Sequence, residues 1–188
     1  MLKTLLNRMI GRMERQWRYD ASYMRFVTDV SPWTSLKFSV VTRLVSRRDA
    51  PAEALAAAGL AATLAEDCGP CTQIGLDMAA AAGVSPAVLR AVLAGDRAGM
   101  GEPAALAYDF ARAVLAHDLE ADALREEIVK RWGEKALVAL AMAITTARMY
   151  PTLKYGLGYG KACTRLTVAG AAAPVARPVA QSPLVGAA

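Results

Sequence analysis

Apolar positions recur with helical spacing almost from the first residue. Leu2, Leu5, Leu6, Met9, Ile10, Met13 and Trp17 form one stripe, with Arg8, Arg12 and Arg15 on other faces, which predicts an amphipathic helix. Ser31-Pro32 reads as an N-cap followed by proline in the first turn, opening a helix that carries Trp33, Leu36, Val40, Val41, Leu44 and Val45. Asp49-Ala50-Pro51 opens another, alanine-rich through Ala65. Gly69-Pro70 breaks that run, and helix resumes from about Pro70 to Ala82, stopping at Gly83. Ser85-Pro86 repeats the cap signature for a short helix ending at Gly95, and residues 96–102 read as a glycine-rich loop.

Leu106, Phe110, Ala113, Val114 and His117 mark the next stripe, and Leu124, Ile128 and Trp132 another, ending at Gly133. Glu134 to Met149 is apolar on most faces, the pattern of a central buried helix. Pro151 is expected to interrupt it, with helix resuming from Leu153 to about Val168. No segment alternates as a strand should. The fold class is therefore all-α, and the Ala/Pro/Gly/Val-rich residues 169–188 read as a disordered tail.

Composition sharpens this picture. A hydrophobic share of 55% in 188 residues supports a sizeable core in one domain. Much of it is alanine, and aromatics are 6%, a mix that favours helix over sheet. Charge is unevenly placed. Residues 1–48 hold ten Lys/Arg against Glu14, Asp20 and Asp29, a local net of +7, while the remainder is net −2. Residues 1–48 are thus a basic helical extension packed on a core of residues 49–168. A basic segment suits nucleic acid, an anionic membrane or an acidic partner, but also a solvated helix face. No basic and aromatic residues interleave as a base-stacking platform needs, so no nucleic-acid partner is expected. Peripheral membrane contact through Met1 to Trp17 is a weaker reading. The N-terminus lacks a signal-peptide pattern, and the apolar run from Ala136 to Ile144 is too short to span a bilayer. Three cysteines, two of them three apart, are not a secreted disulfide framework, so a cytoplasmic location is expected.

The pointed chemistry lies in Cys68-Gly69-Pro70-Cys71. This spacing sets two sulfurs one helical turn apart at a helix start. Cys68 faces the free amides and positive dipole end, an environment that favours thiolate. One sulfur can react and the other resolve it, leaving a disulfide. The alternatives are two buried structural cysteines, or half a metal site that would recruit Cys163 and His117. No zinc spacing matches, and no metal or cofactor is expected. The only histidine, His117, reads as structural, capping or surface. Cys163 reads as a small core residue. Tyr150, Lys154, Tyr155, Lys161 and Cys163 form a second polar cluster; packed over the cysteines, Lys154 or Lys161 would stabilise a thiolate. Cys-Gly-Pro-Cys is also the thioredoxin tetrapeptide, but no βαβ pattern surrounds it here.

The helical context resembles the alkylhydroperoxidase D-like family, also called carboxymuconolactone decarboxylase-like, over about residues 50–160. The resemblance rests on Glu66-Asp67-Cys68-Gly69-Pro70-Cys71 and the helix to Ala82, then Gly83-Val84-Ser85-Pro86. It continues in Leu106 to Ala111 and in Trp132-Gly133-Glu134-Lys135-Ala136-Leu137-Val138 through Leu153. It implies an all-α bundle, frequent homo-oligomers, and thiol peroxidase or disulfide reductase activity. The second cysteine, here Cys71, would be peroxidatic, and Cys68 the resolving, more accessible thiol. Two members of the family's proton relay are missing: its histidine falls at Gly75 and its glutamate at Ala56. Some other base must serve Cys71, and Glu66 is the nearest candidate, with Asp67 and Asp77 behind it. Glu66 and Asp67 are equally readable as helix-start acids.

The expected function is a thiol-dependent oxidoreductase whose Cys68–Cys71 dithiol reduces hydroperoxides or disulfides, with Glu66 assisting, a dithiol as reductant and a homo-oligomeric assembly. The alternative is a non-catalytic helical scaffold or redox-sensitive partner-binding protein that has lost the family relay.

Overall fold

Alanine sets how closely the helices approach. In the computed structural model, which describes residues 1–43, 48–160, 166–173 and 175, the stretch Ala52–Ala65 forms α4, the helix at the centre of the bundle. Ala54, Ala57, Ala58, Ala61 and Ala62 recur three and four apart on it and are all buried. Such small side chains let neighbouring axes come near without voids. Around α4 pack α5 (Gly69–Ala81), α6 (Pro86–Ala94), α7 (Glu102–Ala116) and α9 (Glu134–Gly156), with α8 (Glu120–Trp132) against α7 and α9. Leu60, Leu76, Leu89, Leu93, Ile128 and Leu140 fill the core between them.

The helix boundaries follow local chemistry. Pro70, Pro86 and Pro103 sit in first turns, where no amide partner is lost. The Ser85 hydroxyl accepts from the Val88 amide at 3.3 Å, and α6 stops at Gly95 with φ 67°.

Residues ahead of α4 form a three-helix cap: α1 (Leu2–Trp17), α2 (Ser22–Val30) and α3 (Pro32–Arg43), packed on one another. The helix α2 had no counterpart among the sequence expectations. A second core, built on Ile10, Tyr19, Ala21 and Tyr23, joins this cap to Ile74 of α5 and to Tyr150 and Leu153 of α9. Lys3 and Asn7 both reach Asp29, tying α1 to α2.

Five expectations need correction. Pro151 does not interrupt α9, which runs through to Gly156. Proline removes one amide donor, and the Pro151 ring is fully buried, so the helix carries that single loss inside a packed face. Nor is α9 the central helix. Only a third of its most apolar stretch is buried, and Val138 and Met142 are exposed. Its length and composition would allow a membrane crossing, yet its other face is part of the bundle core.

Helix does not reach Val168. Thr167–Val168 (β1) and Ala171–Ala172 (β2) instead pair antiparallel, around Ala169-Gly170, both at positive φ as a tight hairpin turn requires. Strand is therefore present, and residues 169–173 belong to this ribbon, which corrects where the tail was expected to begin. Leu44, Val45, Lys161, Cys163, Pro174 and residues 176–188 lie outside the described residues.

Candidate functional site

The turn between α4 and α5 presents the dithiol. The Asp67 amide donates to the Leu64 carbonyl at 3.1 Å, and Asp67 itself adopts φ 49°, a left-handed conformation that aspartate tolerates better than most residues. The chain then reverses into Cys68, the N-cap of α5. The Cys68 carbonyl accepts from the Thr72 amide at 2.9 Å and the Thr72 hydroxyl at 3.0 Å, which pins the first turn. Cys71 enters that turn, the two Cα atoms lie 5.3 Å apart, and the sulfurs are bonded as a disulfide. Both cysteines are buried, at 6% and 4% exposure. The resemblance implied a more accessible Cys68, and the two are nearly alike here. The Cys68 side chain makes no capping hydrogen bond to the helix amides.

A polar group beside Cys71 comes from the N-terminal cap. Tyr19, in the turn between α1 and α2, sets its hydroxyl 4.0 Å from Cys71 Sγ and donates to the Tyr23 hydroxyl at 3.2 Å. The two rings meet edge to face, with centroids 6.4 Å apart. Lys154 Nζ stands 5.5 Å from both ring centroids, within cation–π range. Lys154 is 5% exposed. Burial pushes its ammonium below the ordinary lysine range, partly opposed by the negative charge of Asp20. Burial likewise pushes the Tyr19 phenol up to about 12, and raises Tyr23 further.

Of the second polar cluster, the structure thus brings Lys154 to the dithiol's surroundings. Tyr150 donates to Thr42 at 2.7 Å, and Tyr155 donates to the Asp67 carbonyl at 3.4 Å. Glu66 accepts a hydrogen bond from Arg148 of α9 and forms an ion pair with it. Asp77 accepts from Gln73 Nε2 at 2.9 Å. Gln73 also brackets the ribbon, accepting from the Thr167 amide at 2.9 Å and donating to the Thr167 carbonyl at 3.2 Å. His117 is the exposed C-cap of α7. Among the described residues, no three His, Cys, Asp or Glu side chains gather as a metal site would need.

Gly75 sits where α5 crosses α4 closely. A Cβ there would lie 3.2 Å from Leu60 Cδ2, so α5 rests closely on α4 where a histidine would have to push Leu60 aside. Ala56 packs half-buried against the same core. An open, mainly apolar groove of about 820 Å³ runs along α9, lined by Phe38, Val114, Ile144, Arg148 and Leu153 among others. Leu153 also packs in the Tyr19–Tyr23 core, and Arg148 holds Glu66, so α9 lines the groove and also packs on that core.

Sequence reasoning missed Tyr19 and Tyr23. Their only signal was two tyrosines four apart beside the basic segment, with nothing to link them to Cys71 fifty-two residues on. No family model matches the chain, and no curated protein or solved structure matches it either.

Proposed function

We propose that the chain is a thiol-dependent oxidoreductase of the alkylhydroperoxidase D-like kind, cycling Cys68 and Cys71 between dithiol and disulfide. The observation that carries this reading is the pair itself: two sulfurs within bonding reach at a helix start, one beside a buried phenol. Cys71 is the attacking sulfur, because the Tyr19 hydroxyl lies 4.0 Å from it while Cys68 takes no hydrogen bond from the helix amides.

In the hydroperoxide reaction, Cys71 thiolate attacks the terminal peroxide oxygen. The O–O bond breaks, the alkoxide takes a proton and leaves as alcohol, and Cys71 becomes a sulfenic acid. Cys68 thiol then attacks that sulfur; an S–S bond forms and water leaves with the Cys68 proton. An external dithiol restores the pair by exchange and is itself oxidised to a disulfide. With a disulfide substrate, Cys71 thiolate attacks one sulfur, the substrate S–S bond breaks and its other half leaves as a thiol. Cys68 thiolate then attacks Cys71 in the mixed disulfide, forms the Cys68–Cys71 bond and releases the second half as a thiol.

Glu66 is the weaker candidate for base, because Arg148 holds its carboxylate and a proton-accepting role must break that pair. The test is consumption of an organic hydroperoxide with a dithiol reductant, run on the native protein and on Cys71→Ser and Cys68→Ser. Turnover lost in both variants is the expected result. Turnover retained in Cys71→Ser overturns Cys71 as the attacking sulfur, and turnover absent from the native protein with both a hydroperoxide and a disulfide overturns the reading in favour of a non-catalytic helical scaffold.

A further inference from the structure

We propose that Tyr19, supported by Tyr23 and Lys154, is the hydrogen-bond donor that holds Cys71 as a thiolate, replacing the relay that Gly75 and Ala56 cannot supply. This rests on the reading of Cys71 as the attacking sulfur. The N-terminal cap is then part of the active site.

A sulfur as buried as Cys71 would by itself resist ionisation, since an apolar surrounding disfavours the charged form. Something must offset that. Carboxylates do not serve, because a negative neighbour opposes a second negative charge. A phenol that stays protonated does serve, because it can only donate to an anion. In the oxidised state Tyr19 gives its single proton to Tyr23. When Cys71 becomes a thiolate, Tyr19 turns its O–H to the sulfur 4.0 Å away, and Tyr23 can donate in turn to the freed Tyr19 oxygen.

Lys154 reinforces both steps. Its ammonium over the two rings makes the local potential more positive and favours negative charge at the far end of the phenols. The titratable groups facing Tyr19 are Tyr23 and Asp20 from the cap, and Tyr150 and Lys154 from α9. Asp20 and any ionised Tyr150 oppose the thiolate, which leaves Lys154 as the cation of the set. Tyr19 is thus a catalytic residue touching the reacting atom; Tyr23 and Lys154 are positioning residues that act through it.

The experiment follows thiol ionisation directly, with no peroxide present. The rate of alkylation of Cys71 by iodoacetamide is measured against pH in the reduced, full-length Cys68→Ala protein. The same profile is taken with Tyr19→Phe, Tyr23→Phe, Lys154→Met or Lys154→Arg added, and far-ultraviolet circular dichroism checks that each variant is folded. Tyr19→Phe should raise the midpoint by about one pH unit, a roughly tenfold loss of thiolate below it. Tyr23→Phe and Lys154→Met should raise it less, and Lys154→Arg should restore the native profile. A midpoint that Tyr19→Phe leaves in place or lowers overturns the proposal. If Tyr19→Phe does not fold, an unmoved midpoint in both Tyr23→Phe and Lys154→Met does the same. Because the readout is alkylation, failure of hydroperoxide turnover in the native protein leaves this result separately decidable.

Discussion

Tyr19 and Lys154 carry opposite pH signatures, and both can be measured in the folded protein. Burial favours the neutral form of Tyr19, whose value rises from 10.0 to about 12 on folding. The unfolded chain then loses that proton first, so the stabilisation is complete below pH 10 and is lost as pH climbs through about 12. Tyr19→Phe should therefore flatten the alkaline loss of stability, while removing about 1 kcal/mol of hydrogen bonding at neutral pH. Urea titrations at neutral and alkaline pH check both effects. Lys154 runs the other way. Its folded value is depressed by burial, so the unfolded chain holds the proton more tightly and stability rises as pH moves up toward 10.5. Lys154→Met should raise stability at neutral pH, by an amount that shrinks as pH increases, even as it slows Cys71. A buried cation that costs stability is how a functional group behaves, and a stability gain in Lys154→Met that does not fade with pH would contradict the assignment.

Among the helices, α4 and α6 show two different kinds of specification. The cap of α6 is local: Ser85→Ala should destabilise by about 1 kcal/mol, seen as a shift in denaturant midpoint without change of slope. The alanine face of α4 is specified by its neighbours. Ala58 is fully buried there, so Ala58→Leu should overpack the bundle and destabilise by about 1–3 kcal/mol, although leucine is nearly as good a helix former. Helix starts and stops were legible because Ser85, Pro86, Gly95 and Gly133 act on their own backbone. The path of α9 through Pro151 and the short ribbon were not. Whether one lost hydrogen bond ends a helix depends on what packs around it, and the ribbon depends on Gln73, whose side-chain amide pairs with Thr167 like the backbone of a neighbouring strand.

The molecule joins an alanine-rich bundle to a basic three-helix cap through the tyrosine core beside the disulfide. A disulfide closing so short a loop constrains the unfolded chain little, by about 2 kcal/mol at most on a chain-entropy estimate. Reduction should lower the melting temperature by no more than about 8 °C, and the reduced protein should keep its helical spectrum. A collapse of helicity on reduction would instead make the pair a structural staple. Val138 and Met142 of α9 are exposed and form the face on which the expected homo-oligomer is best tested. Val138→Glu combined with Met142→Glu should therefore shift the species seen by sedimentation toward monomer, and an unchanged distribution would remove that face from any assembly.

The all-α class, most helix boundaries and the Cys68–Cys71 pairing distance follow from short-range chemistry: apolar periodicity, caps, prolines and a two-residue spacer. Each acts over a few residues, so each is visible in the order of amino acids. Which helix occupies the centre, the loss of exposure at both sulfurs, and the meeting of Tyr19, Tyr23 and Lys154 are different in kind. They arise when elements far apart in the chain bury their apolar faces together, and that packing is non-directional until the full set of helices competes for the same core. The chain order alone displays two thiols; the buried tyrosine core beside them exists only where the N-terminal cap packs against α5 and α9.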